Sequence, residues 1–197
     1  MRAQVSQPPE GRRERKKAAT RQSIADAALR LFLAYGYDQV SIRDIADAAD
    51  VSTTTLFKHF SGKEALVFDR EAAQDASLVA AVRGRGPDVV AALREHVLAE
   101  WLPLSDDPEL AAFTALVDAT PALSAYSERM WTRHTAALGA AIAAEVGAPP
   151  DDIACVTLAR FVLEIPALTR GRPDRPAAVD TIFDIVRRGW TPPTQLS

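Results

Sequence analysis

Ser52, Thr53, Thr54 and Thr55 set four hydroxyls in a row, and Lys58 and His59 add two basic side chains just beyond them. Leu56 and Phe60 stand four residues apart among them, a spacing that fits the buried side of a short helix whose other side carries the hydroxyls and basic groups. Short hydroxyls with a cation on a projecting helix suit the major groove of duplex DNA. Other chemistry finds less support. His96 and Glu100 share a helix face, but no third ligand sits at metal spacing and no HExxH occurs, so no metal site is expected. With no glycine-rich phosphate loop, nucleophile elbow or paired carboxylates in an apolar setting, neither an enzyme nor a cofactor is expected.

Two short helices must hold that surface. Ser41 is placed to accept a hydrogen bond from an early free N–H of the first, and Ile42, Ile45, Ala46 and Ala49 then recur at the spacing of one buried face. Ala46 is small where a second helix has to cross closely. Asp50 sits where the chain must turn sharply, a position at which Asp tolerates left-handed backbone better than most residues. Val51 fills the angle, and Ser52 caps the second helix. The pattern predicts a helix-turn-helix.

The segment from about Thr20 to Leu66 resembles the DNA-binding domain of the TetR family of bacterial repressors. The resemblance is carried by Ile24-Ala25-Asp26-Ala27-Ala28-Leu29-Arg30-Leu31-Phe32, by Gly36-Tyr37 and Val40-Ser41-Ile42, and by Phe60, Lys63, Glu64, Ala65 and Leu66. It implies a DNA-binding set of Arg43, Ser52, Thr53, Thr54, Thr55, Phe57, Lys58, His59 and Lys63. Within it, Arg43 and the three threonines are expected to read bases, and Lys58, His59 and Lys63 to hold phosphates. Two positions depart from the family pattern. Asp50 stands where Gly is usual, and Phe57 replaces a Tyr whose hydroxyl touches a phosphate, so Phe57 is expected to pack rather than read.

The charge distribution agrees. Residues 1–63 hold 11 Lys/Arg against 7 Asp/Glu, a net of +4, while the remainder holds 12 against 19, a net of −7. Arg12, Arg13, Arg15, Lys16 and Lys17 follow a Pro-bearing leader and are expected to form a flexible basic arm over residues 1–17, lying along the backbone or in a minor groove. Residues 18–66 then form the helix-turn-helix domain and 67–197 a larger ligand-binding and dimerisation domain.

The rest reads as helix by pattern, giving an all-α chain of about nine helices. A fourth helix is expected from Lys63 towards Val82, ending at Gly84-Arg85-Gly86-Pro87. The fifth closes at Trp101-Leu102-Pro103, and the sixth opens at Asp107-Pro108. The seventh runs from Thr120-Pro121 to Gly147, and two more cover about Asp151 to Thr169 and Ala177 to Gly189. Pro166 predicts a kink or break in the eighth. The last two helices are apolar around much of their circumference, from Ile153, Val156, Leu158, Phe161, Val162, Ile165 and Leu168 to Val179, Ile182, Phe183, Ile185, Val186 and Trp190. They resemble the pair through which TetR repressors form a two-fold homodimer.

Trp101, Phe113, Leu116, Val117, Tyr126, Met130, Trp131, His134, Leu138, Phe161 and Glu164 are the expected lining of an effector pocket, mostly apolar with few polar groups. Asp118-Ala119-Thr120-Pro121-Ala122-Leu123, Met130-Trp131 to His134 and Arg160-Phe161 also resemble, more weakly, the TetR subgroup that binds acyl-CoA-like ligands. In that setting Arg129, Arg133, Arg170 and Arg172 would meet an anionic head group. The expected partners are a double-stranded operator, a second copy of the chain and a small-molecule effector. No membrane partner is expected: the chain has no span-length apolar run, its polar N-terminus lacks a secretory core, and a cytoplasmic location follows. Cys155, the single cysteine, reads as core filler. A helical small-molecule binder or scaffold without DNA binding is the alternative, and it would leave the basic arm and the hydroxyl-bearing helix idle.

Overall fold

A computed structural model describes residues 9–102 and 108–189. Among them there are ten α-helices and no strand: α1 (Pro9–Tyr35), α2 (Ile42–Ala48), α3 (Thr53–His59), α4 (Lys63–Val67), α5 (Asp69–Val82), α6 (Val89–His96), α7 (Pro108–Ala119), α8 (Pro121–Val146), α9 (Ile153–Thr169) and α10 (Arg175–Gly189). A π turn, Val97–Trp101, prolongs α6. The described residues form two compact units, one of 9–69 with 115–123, the other of 70–102, 108–114 and 124–189. Trp190 and residues 1–8 of the expected arm lie outside the described residues.

In the first unit Ile24, Ala28 and Phe32 of α1 are fully buried with Ile45 of α2 and Leu56 of α3. α1 ends at Gly36, whose N–H still reaches the Phe32 carbonyl at 2.9 Å and whose φ of 82° then turns the chain out of the helix. The second unit closes around Leu78, Leu93, Leu138, Leu158, Val162 and Phe183. There Gly139 of α8 meets Val156 of α9 so closely that a Cβ would stand 3.2 Å from the Val156 Cα, and a side chain at that crossing would press the two helices apart.

The structure corrects two expectations and narrows a third. The helix predicted from Lys63 to Val82 is two: Phe68, buried, has φ −102° and ψ 26°, and α5 restarts at Asp69, whose carboxylate is held by Arg21 at 2.7 Å, so the chain is pinned where the helix breaks. Residues 9–17 are not a loose arm but the first turns of α1, since Pro9 suits a helix start and the Arg, Lys, Glu and Ala that follow are good helix formers. Of the kink or break expected at Pro166, the break does not occur: α9 runs on to Thr169, because Val162, Leu163, Ile165 and Thr169 are all buried and packing outweighs the missing N–H.

The breaker cluster between α5 and α6 is closed by a side chain from α8. Glu145 accepts the Gly84 N–H at 2.9 Å and the Gly86 N–H at 3.0 Å. These hydrogen bonds, that of Gly86 foremost, hold its carboxyl below the usual carboxylate range. A depressed folded-state pKa contributes stability above the unfolded-state pKa that is lost as pH falls through the folded value. Stability of the wild-type chain should therefore fall more steeply on acidification below about pH 4.5 than that of Glu145→Gln, measured by urea unfolding across pH.

Candidate nucleic-acid interface

The helix-turn-helix is built by caps. Ser41 Oγ accepts the Asp44 N–H at 3.2 Å, and the Asp44 carboxylate accepts the Ser41 N–H at 2.8 Å, a reciprocal box that starts α2. The Ser41 hydroxyl also donates to the Asp44 carboxylate at 2.7 Å, and this bond first, then that from the Ser41 N–H, lowers the Asp44 pKa. Asp50 takes the left-handed conformation, φ 53°, and the Val51 N–H then reaches the Ala46 carbonyl at 3.0 Å, so the chain reverses within two residues. Ser52 caps α3 through the Thr55 N–H at 3.1 Å.

This frame fixes which side chains face outward. Ser52, Thr53, Thr54 and Lys58 are exposed. Thr55 is half-buried, its hydroxyl 2.9 Å from that of Ser52 and thus engaged in the cap. Arg43 on α2 is exposed and 3.9 Å from Asp47, a contact that water at such a surface leaves weak. Phe57 was expected to pack, yet it is 55% exposed, because Leu56 and Phe60 already fill the inner face. His59 is half-buried at the end of α3.

Lys63 is turned inward, where a phosphate-holding cation was expected. Its ammonium donates to the Tyr37 carbonyl and lies over the Tyr37 ring at 4.1 Å, with the Phe32 ring 5.5 Å away. Burial lowers its pKa, against the opposing pull of Asp38 and Glu64. Among the described residues, the exposed cations of the first unit are instead Lys58, Arg43, Arg30 and the row from Arg12 to Lys17 on the first turns of α1.

Arg21 gave no signal in the sequence. Its guanidinium lies over the Phe60 ring at 4.4 Å, donates to the His59 carbonyl at the end of α3, and pairs with Asp69 at 2.6 Å. One side chain thus joins α1, the end of the projecting helix and the first residue of α5. The partners lie 38 and 48 residues away, so no local period announces them.

The expected effector residues do not all meet. Trp101 and Met130 are buried, and Trp131 stacks edge-on to His134 with ring centroids 6.2 Å apart. Arg129 and Arg133 flank the Tyr126 ring, each at 5.9 Å, and Phe113 is half-buried. Leu116 and Val117 fall in the segment that groups with the first unit. Phe161 and Glu164 are exposed on α9, Glu164 pairing with Arg160 at 3.1 Å. The buried face of α9 belongs to Leu158, Val162 and Ile165, which turns Phe161 and Glu164 away from the core. Phe161 lines a surface groove of about 350 Å³ instead, with Ile153, Thr157, Ile185 and Val186.

The model of the bacterial regulatory proteins of the tetR family matches residues 24–69. The transcriptional regulator TcmR of Streptomyces glaucescens is 34% identical over 152 residues, 72% of this chain and 67% of that protein. Among solved structures, a TetR-family regulator from Streptomyces coelicolor A3 superposes with a TM-score of 0.62 at 19% identity, covering 94% of this chain and 98% of that one. A SmeT–triclosan complex does so with a TM-score of 0.58 at 20% identity, over 91% and 99% of the two chains.

Arg21→Ala should leave the nearly buried Asp69 carboxylate and the His59 carbonyl without their donor. Because the Arg21 side chain is 42% exposed and water partly replaces it, a loss of about 1 to 2 kcal/mol is expected. Arg21→Lys should recover only part, since an ammonium cannot reproduce the planar fork. Urea midpoints of the three chains test this, and equal midpoints for wild type and Arg21→Ala would remove the hub.

Proposed function

The chain belongs to the TetR family of bacterial regulatory proteins, and we propose that it is a repressor that holds a palindromic operator as a homodimer and leaves it when a small apolar effector binds. Membership in a family of transcriptional regulators puts the chain outside the enzymes. No helix among the described residues is long and apolar enough to cross a membrane.

The observation that carries the proposal is α3, capped at Ser52, with Thr53, Thr54, Phe57 and Lys58 turned outward while Leu56 anchors it from within. Arg43, Thr53 and Thr54 are assigned to base readout, and Lys58 with the α1 cations to phosphates. Dimerisation is assigned to α9 and α10. Ile153, Phe161, Leu168 and Ile185 are 76%, 48%, 54% and 57% exposed, an apolar surface that a lone chain would leave in water. Phe183, in contrast, is fully buried inside the monomer, so its substitution tests folding rather than assembly.

The effector is assigned to the second unit. Trp131, His134 and Met130 on α8 with Trp101 offer apolar surface with one polar ring, and the structural neighbour solved with triclosan holds a small organic molecule. Long-chain acyl-CoA is the first candidate, with Arg129 and Arg133 meeting its anionic head, and a neutral hydrophobic metabolite the second. Release requires that the effector bind the DNA-incompetent arrangement more tightly, and a coupling of about 1 to 3 kcal/mol would weaken operator binding roughly 5- to 150-fold.

Two measurements test this. Ile185→Asp leaves the core intact and places a charge on the proposed interface, so it should sediment as a folded monomer and lose operator affinity; a wild-type chain that is monomeric at micromolar concentration would refute the dimer. Titration of the operator complex with acyl-CoAs of increasing chain length should release DNA, and less so in Trp131→Ala. Absence of release at every length would sink acyl-CoA as the effector.

A further inference from the structure

The outward face of α3 is poor in the groups that tell base pairs apart by hydrogen bonding. From Ser52 to Phe60 there is no Arg, Asn, Gln, Asp or Glu, and Lys58 is the one side chain of the kinds that pair two-pronged with guanine or adenine or accept from cytosine. Thr55 spends its hydroxyl on Ser52, and Lys58 is a mobile point charge with no planar fork. What the face offers in quantity is carbon. The Phe57 ring is 55% exposed, whereas the neighbouring apolar residues Leu56 and Phe60 are 0% and 2% exposed. Thr53 and Thr54, also exposed, stand four and three residues before it, so their methyl groups lie on the same side of the helix as the ring.

In a major groove the one apolar feature is the C5 methyl of thymine, which no other base carries. We propose that Phe57, with the methyls of Thr53 and Thr54, is a specificity determinant that reads thymine through its C5 methyl. The inference rests on the DNA-binding function proposed above. Lys58, on the same turn, holds the phosphate that sets the helix at the right depth. The aromatic ring that lacks a hydroxyl for the phosphate is thereby used on the base instead.

The test uses the full chain, first as wild type and then as Phe57→Ala, whose exposed ring can be removed without opening the core. Duplexes retained from a random pool supply the preferred sequence, and each thymine in it is then replaced by deoxyuridine, which keeps the pairing edge and removes only the methyl. One or two positions in each half-site should lose about fourfold in affinity apiece, the value of one buried methyl-sized group. In Phe57→Ala the same replacements should change affinity by less than half as much. Deoxyuridine without effect at every position would overturn the proposal, as would a Phe57→Ala chain that binds preferred and random duplexes with equally reduced affinity, the mark of sugar or phosphate packing. A pool from which no duplex is retained at any salt concentration would overturn the DNA-binding function itself, and one retained without sequence preference would overturn this proposal.

Discussion

The Arg21 guanidinium is the contact on which the first unit turns. A helix of seven residues such as α3 is far too short to hold itself in water, so its orientation has to come from what it touches. Leu56 supplies the burial from one side. Arg21 supplies direction at the other end, taking the His59 carbonyl that the helix terminus leaves without an intrahelical donor and covering Phe60. Its second pair of bonds, to Asp69, fixes the residue at which α5 begins. The projecting helix and the start of α5 are therefore not independently adjustable: displacing Asp69 displaces the group that holds the end of α3.

A second constraint is the competition between aromatic faces and phosphates for cations. Lys63 is spent on the Tyr37 and Phe32 rings, and Arg21 on Phe60. Both stabilise the fold where the charge count alone suggested a DNA contact. The net of +4 over residues 1–63 thus overstates the positive charge offered outward, and what remains lies on the first turns of α1 and at Arg30, Arg43 and Lys58.

What the sequence made legible was local. Caps at Ser41 and Ser52, the left-handed turn at Asp50, the Pro that opens α8 and the buried periods of α2 and α3 each involve residues within four positions of one another, where pattern and geometry correspond. The misplaced features depend on distant partners. Glu145 meets residues some 60 positions away, and the break at Phe68 follows from Arg21 holding Asp69 across 48. Phe161 and Glu164 were grouped with a pocket on residue type alone, but a helix has one inner face and Leu158, Val162 and Ile165 already occupy it. Phe57 was misjudged for the converse reason: an aromatic residue on an amphipathic helix suggests packing until the inner face is counted and found full.

The helical state of residues 9–17 changes what the basic cluster can do. As extended chain these nine residues would span about 30 Å and could search for a groove, at a cost in ordering entropy when they found it. Wound into α1 they rise only about 13 Å, at 1.5 Å per residue. Arg12, Arg13, Arg15, Lys16 and Lys17 then distribute around a rigid rod, so only part of the row can face a single phosphate track at once. Reach and adaptability are exchanged for charge that is already in place before DNA arrives.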